Sequence, residues 1–207
     1  MDFDLSPRTA ALRETLQRFM DDLVLPSHRE WQRFADAGLY PLDVIEPLKQ
    51  QARDLGLWNL FLPELRDDQP GTRLSNLDYA PLAEMMGRVP WSAEVFNCSA
   101  PDSGNIELLQ RFATPAQRER WLDPLLAGEM RSCFAMSEPD VASSNATNIE
   151  TRVVRDGDMW VLNGRKWFIT GAAHPNCKLV VVMARSDTGG GDDSHRRHSI
   201  VLRAIDN

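Results

Sequence analysis

Along the first two thirds of the chain, apolar residues recur every three or four positions. After Asn148 they alternate or run together, with turn dipeptides between them. The first pattern predicts helices and the second predicts strands. Ser6-Pro7 reads as a helix start, with Leu12, Leu16, Phe19, Met20 and Leu23 on one face and Pro26 ending the pattern. A second helix is predicted from about Leu42 to Leu55, with Val44, Ile45, Leu48, Ala52 and Leu55 as its apolar set and Gly56 as its stop. GLWNLFLPEL at 56–65 is too apolar for a surface loop and should pack inside. A third helix is predicted over Asn76–Met86, closed by Gly87, and a fourth around Ile106, Leu109 and Phe112. Thr114-Pro115-Ala116-Gln117 has the form of a capping box, opening a fifth helix that carries Trp121 before Pro124.

Beyond Asn148, ETRVVRDGDMWVLNGRKWFIT holds three short strand candidates, separated by Asp156-Gly157 and Asn163-Gly164, both suited to tight hairpins. KLVVVMAR reads as a buried strand, DTGGGDDSHRRH as a polar loop and SIVLRAI as a last strand. A sheet that stops on a strand leaves unpaired N–H and C=O groups on its edge.

Composition narrows the function classes. The 207 residues are 43% hydrophobic and 26% charged, as in ordinary globular domains. The net charge of −7 argues against a nucleic-acid backbone as partner. The longest apolar run, Leu179–Ala184, is strand-sized and too short to span a membrane. The acidic start MDFDLSPRTA has no apolar signal core, so export is not expected. Cys98, Cys133 and Cys177 are odd in number and far apart. They fit neither a disulfide framework nor a metal cluster, and the cytoplasm is the simplest location.

SEPDVASSNATN at 137–148 sits at the change of period. Its Ser, Asn, Asp and Pro suit a plain linker as well as a loop that holds a ligand. Two features favour the loop. It follows RSCFAM, an apolar anchor, and a second cluster, KWFITG at 166–171, is read as the end of a hairpin strand with two aromatics and a threonine. Strand alternation would send one of Trp167 and Phe168 to the core. An aromatic wall with hydroxyl and amide donors beside it suits a flat heteroaromatic ligand.

At these residues the sequence resembles the acyl-CoA dehydrogenase family. CFAMSEPDVASS at 133–144 is similar to that family's flavin loop, and LNGRKWFITGA at 162–172 to its second flavin segment. TPAQRERWLDPLLAGEMRSCFAMSEP matches the spacing of the family's lead-in. The wording EPDVASS–ATN resembles one branch, whose animal members are fused to kinase-like domains and handle long-chain or hydroxylated acyl-CoAs.

The resemblance implies an α+β fold: an all-α N-terminal domain, here 1–131, then the start of an antiparallel β-domain, here 132–207, with the family's C-terminal helical domain absent. It implies FAD as cofactor, an acyl-CoA substrate, an electron-accepting flavoprotein and a homo-oligomer in the complete enzyme. Phe134, Ala135, Met136, Ser137 and Ser143 would line the flavin, with the Ser137 hydroxyl and amide on its ring and Ser143 also meeting the acyl-CoA. Phe168 stands where most members stack a Trp on the flavin, followed by Ile169, and Thr170 stands where a hydroxyl approaches N5.

Three departures from the family pattern stand out: Asp140-Val141 in place of Gly-Ala, Asn145 in place of Asp, and Phe168 in place of Trp. The reaction, α,β-desaturation of a thioester, removes a proton as well as a hydride and so needs a carboxylate base. That glutamate lies in the family's C-terminal half, and no replacement is recognisable. Glu138 reads as a turn and network residue, and His195 and His198 read as solvated rather than metal ligands. The expectation is a flavin-dependent dehydrogenase portion without its base. An inactive FAD or acyl-CoA binder and a helical interaction module without cofactor remain as alternatives.

Overall fold

The computed structural model describes residues 4–186 and 194–205. These residues form two compact units, Met1–Glu129 and Met130–Asn207.

The first unit is helical. The Ser6 hydroxyl caps α1 (Pro7–Phe19) by accepting from the Thr9 amide at 3.1 Å. Pro26 does not end this helix. A π-turn at Met20–Val24, closed by the Leu25 amide on the Met20 carbonyl, leads straight into α2 (Leu25–Asp36). The wider turn separates the proline ring from the carbonyl one turn back, which a regular α-helix would bring into collision. The same device recurs later. The capping box opens α7 (Pro115–Gln117), a π-turn covers Arg118–Leu122, and α8 (Asp123–Ala127) continues through Pro124.

Helix α3 (Leu42–Asp54) buries Val44, Ile45, Leu48 and Ala52 as its period predicts, while Leu55 is exposed. Helices α4 (Asn76–Met86), α5 (Ser92–Val95) and α6 (Asp102–Phe112) follow. Ile106 and Leu109 are buried, whereas Phe112 faces solvent.

The segment GLWNLFLPEL packs inside without being a helix. Leu57, Leu60 and Leu62 are buried, and Asn59 holds a left-handed backbone at φ 49°. Burying irregular chain requires partners for its polar groups. Asn59 Nδ2 donates to the Pro70 and Leu126 carbonyls at 2.7 and 2.9 Å. Asn97, also left-handed at φ 52°, donates to Asn59 Oδ1 and the Leu125 carbonyl at 2.7 and 2.9 Å. The Trp58 indole donates to Leu126 O at 2.8 Å. Two asparagines and a tryptophan thus cap the carbonyls that end α8. Gly128 closes that helix at φ 66°, where a Cβ would lie 2.7 Å from the Trp58 ring.

The second unit is a five-stranded sheet: β1 (Arg131–Ala135), β2 (Arg152–Asp156), β3 (Met159–Asn163), β4 (Cys177–Arg185) and β5 (His198–Ala204). The sheet is mixed: to the antiparallel pairs expected it adds parallel ones. Central β4 pairs antiparallel with β5, parallel with β1, and parallel with β2 through Arg152 and Arg185. β2 and β3 form the hairpin predicted at Asp156-Gly157. Parallel strands need a long connection, and the 41 residues between Ala135 and Cys177 carry both the 137–148 loop and the hairpin. Most of the glycine-rich loop, 187–193, lies outside the described residues.

Replacing Asn97 by Ala leaves Asn59 Oδ1 without its donor, leaves the Leu125 carbonyl with only the Gly128 amide, and puts alanine in a left-handed conformation. The expected loss is about 2–4 kcal/mol of unfolding free energy for the helical unit, read by urea denaturation followed by far-UV circular dichroism. An unchanged midpoint would remove the asparagine bridge from the account of this core.

Candidate functional site

The 137–148 segment is a structured loop rather than a linker. The Ser143 amide donates to the Val141 carbonyl at 2.8 Å, and Asn145 Oδ1 accepts from the Thr147 amide at 3.2 Å. The buried Ser143 hydroxyl accepts from the Glu138 amide at 2.8 Å, which ties the loop's end back to its start.

Glu138 is the hub. Its carboxylate accepts from the Glu150 amide at 2.8 Å, the Thr151 amide at 2.9 Å and Lys166 Nζ at 2.9 Å. Lys166 also donates to the Met136 carbonyl at 2.8 Å, and both side chains are nearly buried, at 11% and 6% exposure for Lys166 and Glu138. Burial pushes the carboxyl upward, but hydrogen bonds from Thr151, Lys166 and the Glu150 and Thr151 amides outweigh it and hold the pKa at about 2. This bears out the reading of Glu138 as a network residue. Lys166 is the partner that sequence reasoning missed. The available signal was a lone lysine inside one motif and a lone glutamate inside the other.

The second cluster departs from expectation. KWFITG is not a strand: β3 stops at Asn163, and 164–171 is irregular chain. Asn163-Gly164 therefore makes no hairpin. Gly164 is needed for close approach, because a Cβ there would overlap the Thr151 side chain. Strand alternation does not apply to Trp167 and Phe168, and neither is buried in the core. Their rings pack on each other, 4.5 Å between centroids, and Phe168 is 83% exposed at φ 50°. A bulky residue with positive φ is a strained outlier, a kind that clusters at functional sites. The Trp167 amide donates to the Ser137 carbonyl at 3.1 Å, so the two motifs meet through main chain as well as through Lys166.

The predicted residues do not all share one surface. Phe134 and Ala135 point to opposite faces of β1. Ala135 and Ile169 line a cleft of about 450 Å³ on the sheet with Cys133, Val180, Val182 and Lys166. Met136 is held by its carbonyl, and Ser143 by its hydroxyl. Ser137 is half-buried and Thr170 exposed, and among the described residues neither hydroxyl has a protein hydrogen-bond partner. Ser137 and Thr170 thus carry hydroxyls unengaged among the described residues, and Phe168 presents its ring to solvent.

His195 is exposed and His198 opens β5 opposite Arg185. Among the described residues no cluster of three or more His, Cys, Asp or Glu could hold a metal, and no helix is long and apolar enough to cross a membrane.

A helical domain followed by a mixed sheet, with its polar loop folded against an aromatic segment, defines the N-terminal and middle domains of the acyl-CoA dehydrogenase fold. The chain belongs to the acyl-CoA dehydrogenase family: residues 6–129 match its N-terminal domain and residues 133–206 its middle domain. It is 45% identical over 215 residues to FadE2 of Mycobacterium tuberculosis, an alignment that covers 100% of this chain and 50% of that protein. It is 45% identical over 206 residues to acyl-CoA dehydrogenase family member 10 of Mus musculus, covering 98% of this chain and 19% of that one. A family structure from Mycobacterium abscessus superposes with a TM-score of 0.86 at 44% identity, covering 98% of this chain and 51% of that one. A glutaryl-CoA dehydrogenase from Mycobacterium smegmatis, solved with FADH2, shares the fold at a TM-score of 0.69 and 21% identity, covering 97% and 46%. The chain thus spans about half or less of the length of these relatives.

The depressed Glu138 pKa has a definite consequence. Its contribution to the β-unit is present above the ordinary carboxyl value of 4.5 and is lost as pH falls towards about 2. Unfolding measured between pH 6 and pH 2.5 should show wild type losing on the order of 2–3 kcal/mol more than Glu138→Gln. Parallel pH profiles would contradict the network.

Proposed function

We propose that this chain is the FAD-handling portion of an acyl-CoA dehydrogenase that desaturates the α,β bond of an acyl-CoA thioester. The observation that carries the reading is the pairing of unengaged hydroxyls with a presented aromatic face: Ser137, Thr170 and the strained, exposed Phe168. Phe168 would offer its face to an isoalloxazine, and the Ser137 and Thr170 hydroxyls would hydrogen-bond its polar edge. Bound FAD would supply the hydride acceptor. Hydroxyl dipoles fixed beside it would favour the electron-rich reduced ring. The FADH2 held by the glutaryl-CoA dehydrogenase of the same fold supports this reading.

The proton step needs a base at neutral pH. Glu138 is poorly suited, because a carboxylate held at a pKa of about 2 is a weak proton acceptor and its oxygens are engaged by Lys166 and two amides. We therefore place the base in the part of the relatives that this chain does not match, and assign no turnover to these 207 residues alone. Partners would be acyl-CoA, an electron-accepting flavoprotein and further copies of the complete enzyme. Three buried cysteines, none of them in a disulfide, support a reducing compartment.

The test is titration of the 207-residue chain with FAD, followed by flavin fluorescence. Ser137→Ala and Thr170→Ala should each weaken binding by about 0.5–1.5 kcal/mol, the range for a neutral hydrogen bond. Phe168→Ala should cost more than Trp167→Ala. Wild-type affinity in all three site variants would overturn the assignment, and sustained turnover of an acyl-CoA with a dye acceptor would show that a base lies within the chain.

A further inference from the structure

The hydroxyls and ring assigned to the flavin sit on two separate segments, and neither segment is regular secondary structure. Irregular chain holds a ligand geometry only if something else fixes it. Three bonds join the two segments. Lys166 Nζ donates to the Met136 carbonyl at 2.8 Å and to Glu138 Oε1 at 2.9 Å, and the Trp167 amide donates to the Ser137 carbonyl at 3.1 Å. Glu138 then anchors the joined segments to the approach to β2 through the Glu150 and Thr151 amides. Every position from Met136 to Glu138 therefore holds a contact to Lys166 or Trp167. The aromatic ring next along the chain, Phe168, has few other supports, being exposed and strained.

We infer that the nearly buried Lys166–Glu138 pair is a positioning device that locks residues 136–143 and 166–168 into one cooperative element, so that the two halves of the flavin surface form or are lost together. Neither residue touches the reacting atoms. The consequence for flavin rests on the function proposed above, but the locking itself does not. Without Lys166 two of the three bonds between the segments are gone, only the Trp167 amide on the Ser137 carbonyl remains, and both segments loosen together. Without Glu138 the lysine would face burial with only a carbonyl partner.

Hydrogen exchange with mass-spectrometric readout on the whole chain, without ligand, tests the locking. In Lys166→Met and in Glu138→Gln, peptides covering 136–143 and 166–168 should lose protection together by about 10–100-fold, the range for a charge-assisted hydrogen bond, while β4 and β5 stay at wild-type protection. Lys166→Arg, which keeps a cation with several donors, should restore most of it. Loss in only one segment, or equal loss across β4 and β5, would overturn the proposal, because the pair would then be a local or a general structural element.

FAD titration supplies the second readout. Lys166→Met should weaken binding by about the same 10–100-fold, and the bound-flavin absorption band should move towards that of free flavin. Wild-type affinity and spectrum in Lys166→Met would overturn the positioning role. If wild-type chain binds no FAD, the flavin reading fails by itself, and the exchange pattern still decides the coupling.

Discussion

One buried carboxylate organises the β-unit. Glu138 sits at 6% exposure with three donors on its two oxygens. A carboxylate removed from water is costly unless paired and hydrogen-bonded, so each of these contacts is close to obligatory. The pattern of partners turns that requirement into architecture. The amides fix the entry to β2, Lys166 fixes the segment after β3, and the Glu138 amide fixes Ser143. A connection of 41 residues between two parallel strands would otherwise be long, loose chain.

The helical unit solves the corresponding problem with neutral groups. Its buried irregular stretch is satisfied by Asn59, Asn97 and Trp58, which reach carbonyls at the end of α8. Asparagine suits both positions because it tolerates the left-handed backbone and donates two bonds. Twice in this unit a proline inside a helix follows directly on a π-turn, at Pro26 and Pro124. The chain accommodates each proline by widening one turn, and so keeps the helix running where the residue type alone predicts a stop.

These features mark where the sequence was legible. Periodicity located α3, α4 and α6 because a hydrophobic face is a summed signal over several turns. The capping box at Thr114 was readable because its chemistry is local. Pro26 misled because a π-turn has no residue signature. The parallel β1–β4 pairing was invisible because register between distant strands depends on contacts that no short window contains. In the site, the motifs identified the loop and the aromatic segment, but Asn163-Gly164 read as a hairpin turn when its glycine instead makes room for Thr151. Lys166 escaped notice because its role exists only once Glu138 is beside it.

The distribution of satisfied and unsatisfied groups separates scaffold from surface within the candidate site. Ser143 and Ser137 lie in one loop and are chemically alike. The first is buried with its hydroxyl engaged, and the second is half-buried with its hydroxyl unengaged among the described residues. Lys166 and Phe168 are two residues apart. The first is anchored by two bonds, and the second is 83% exposed in a backbone conformation unfavourable for its type. A sequence selected only to fold would relax Phe168 by placing glycine or asparagine there, since both adopt positive φ at lower cost. Retaining a large ring at a strained, exposed position makes sense when the ring's face is what the position is for. The strain is tolerated because Lys166 and the Trp167 amide hold the preceding residues in place. Local rules are obeyed in the support and broken at the presented edge, the arrangement expected of a binding surface built on a rigid base.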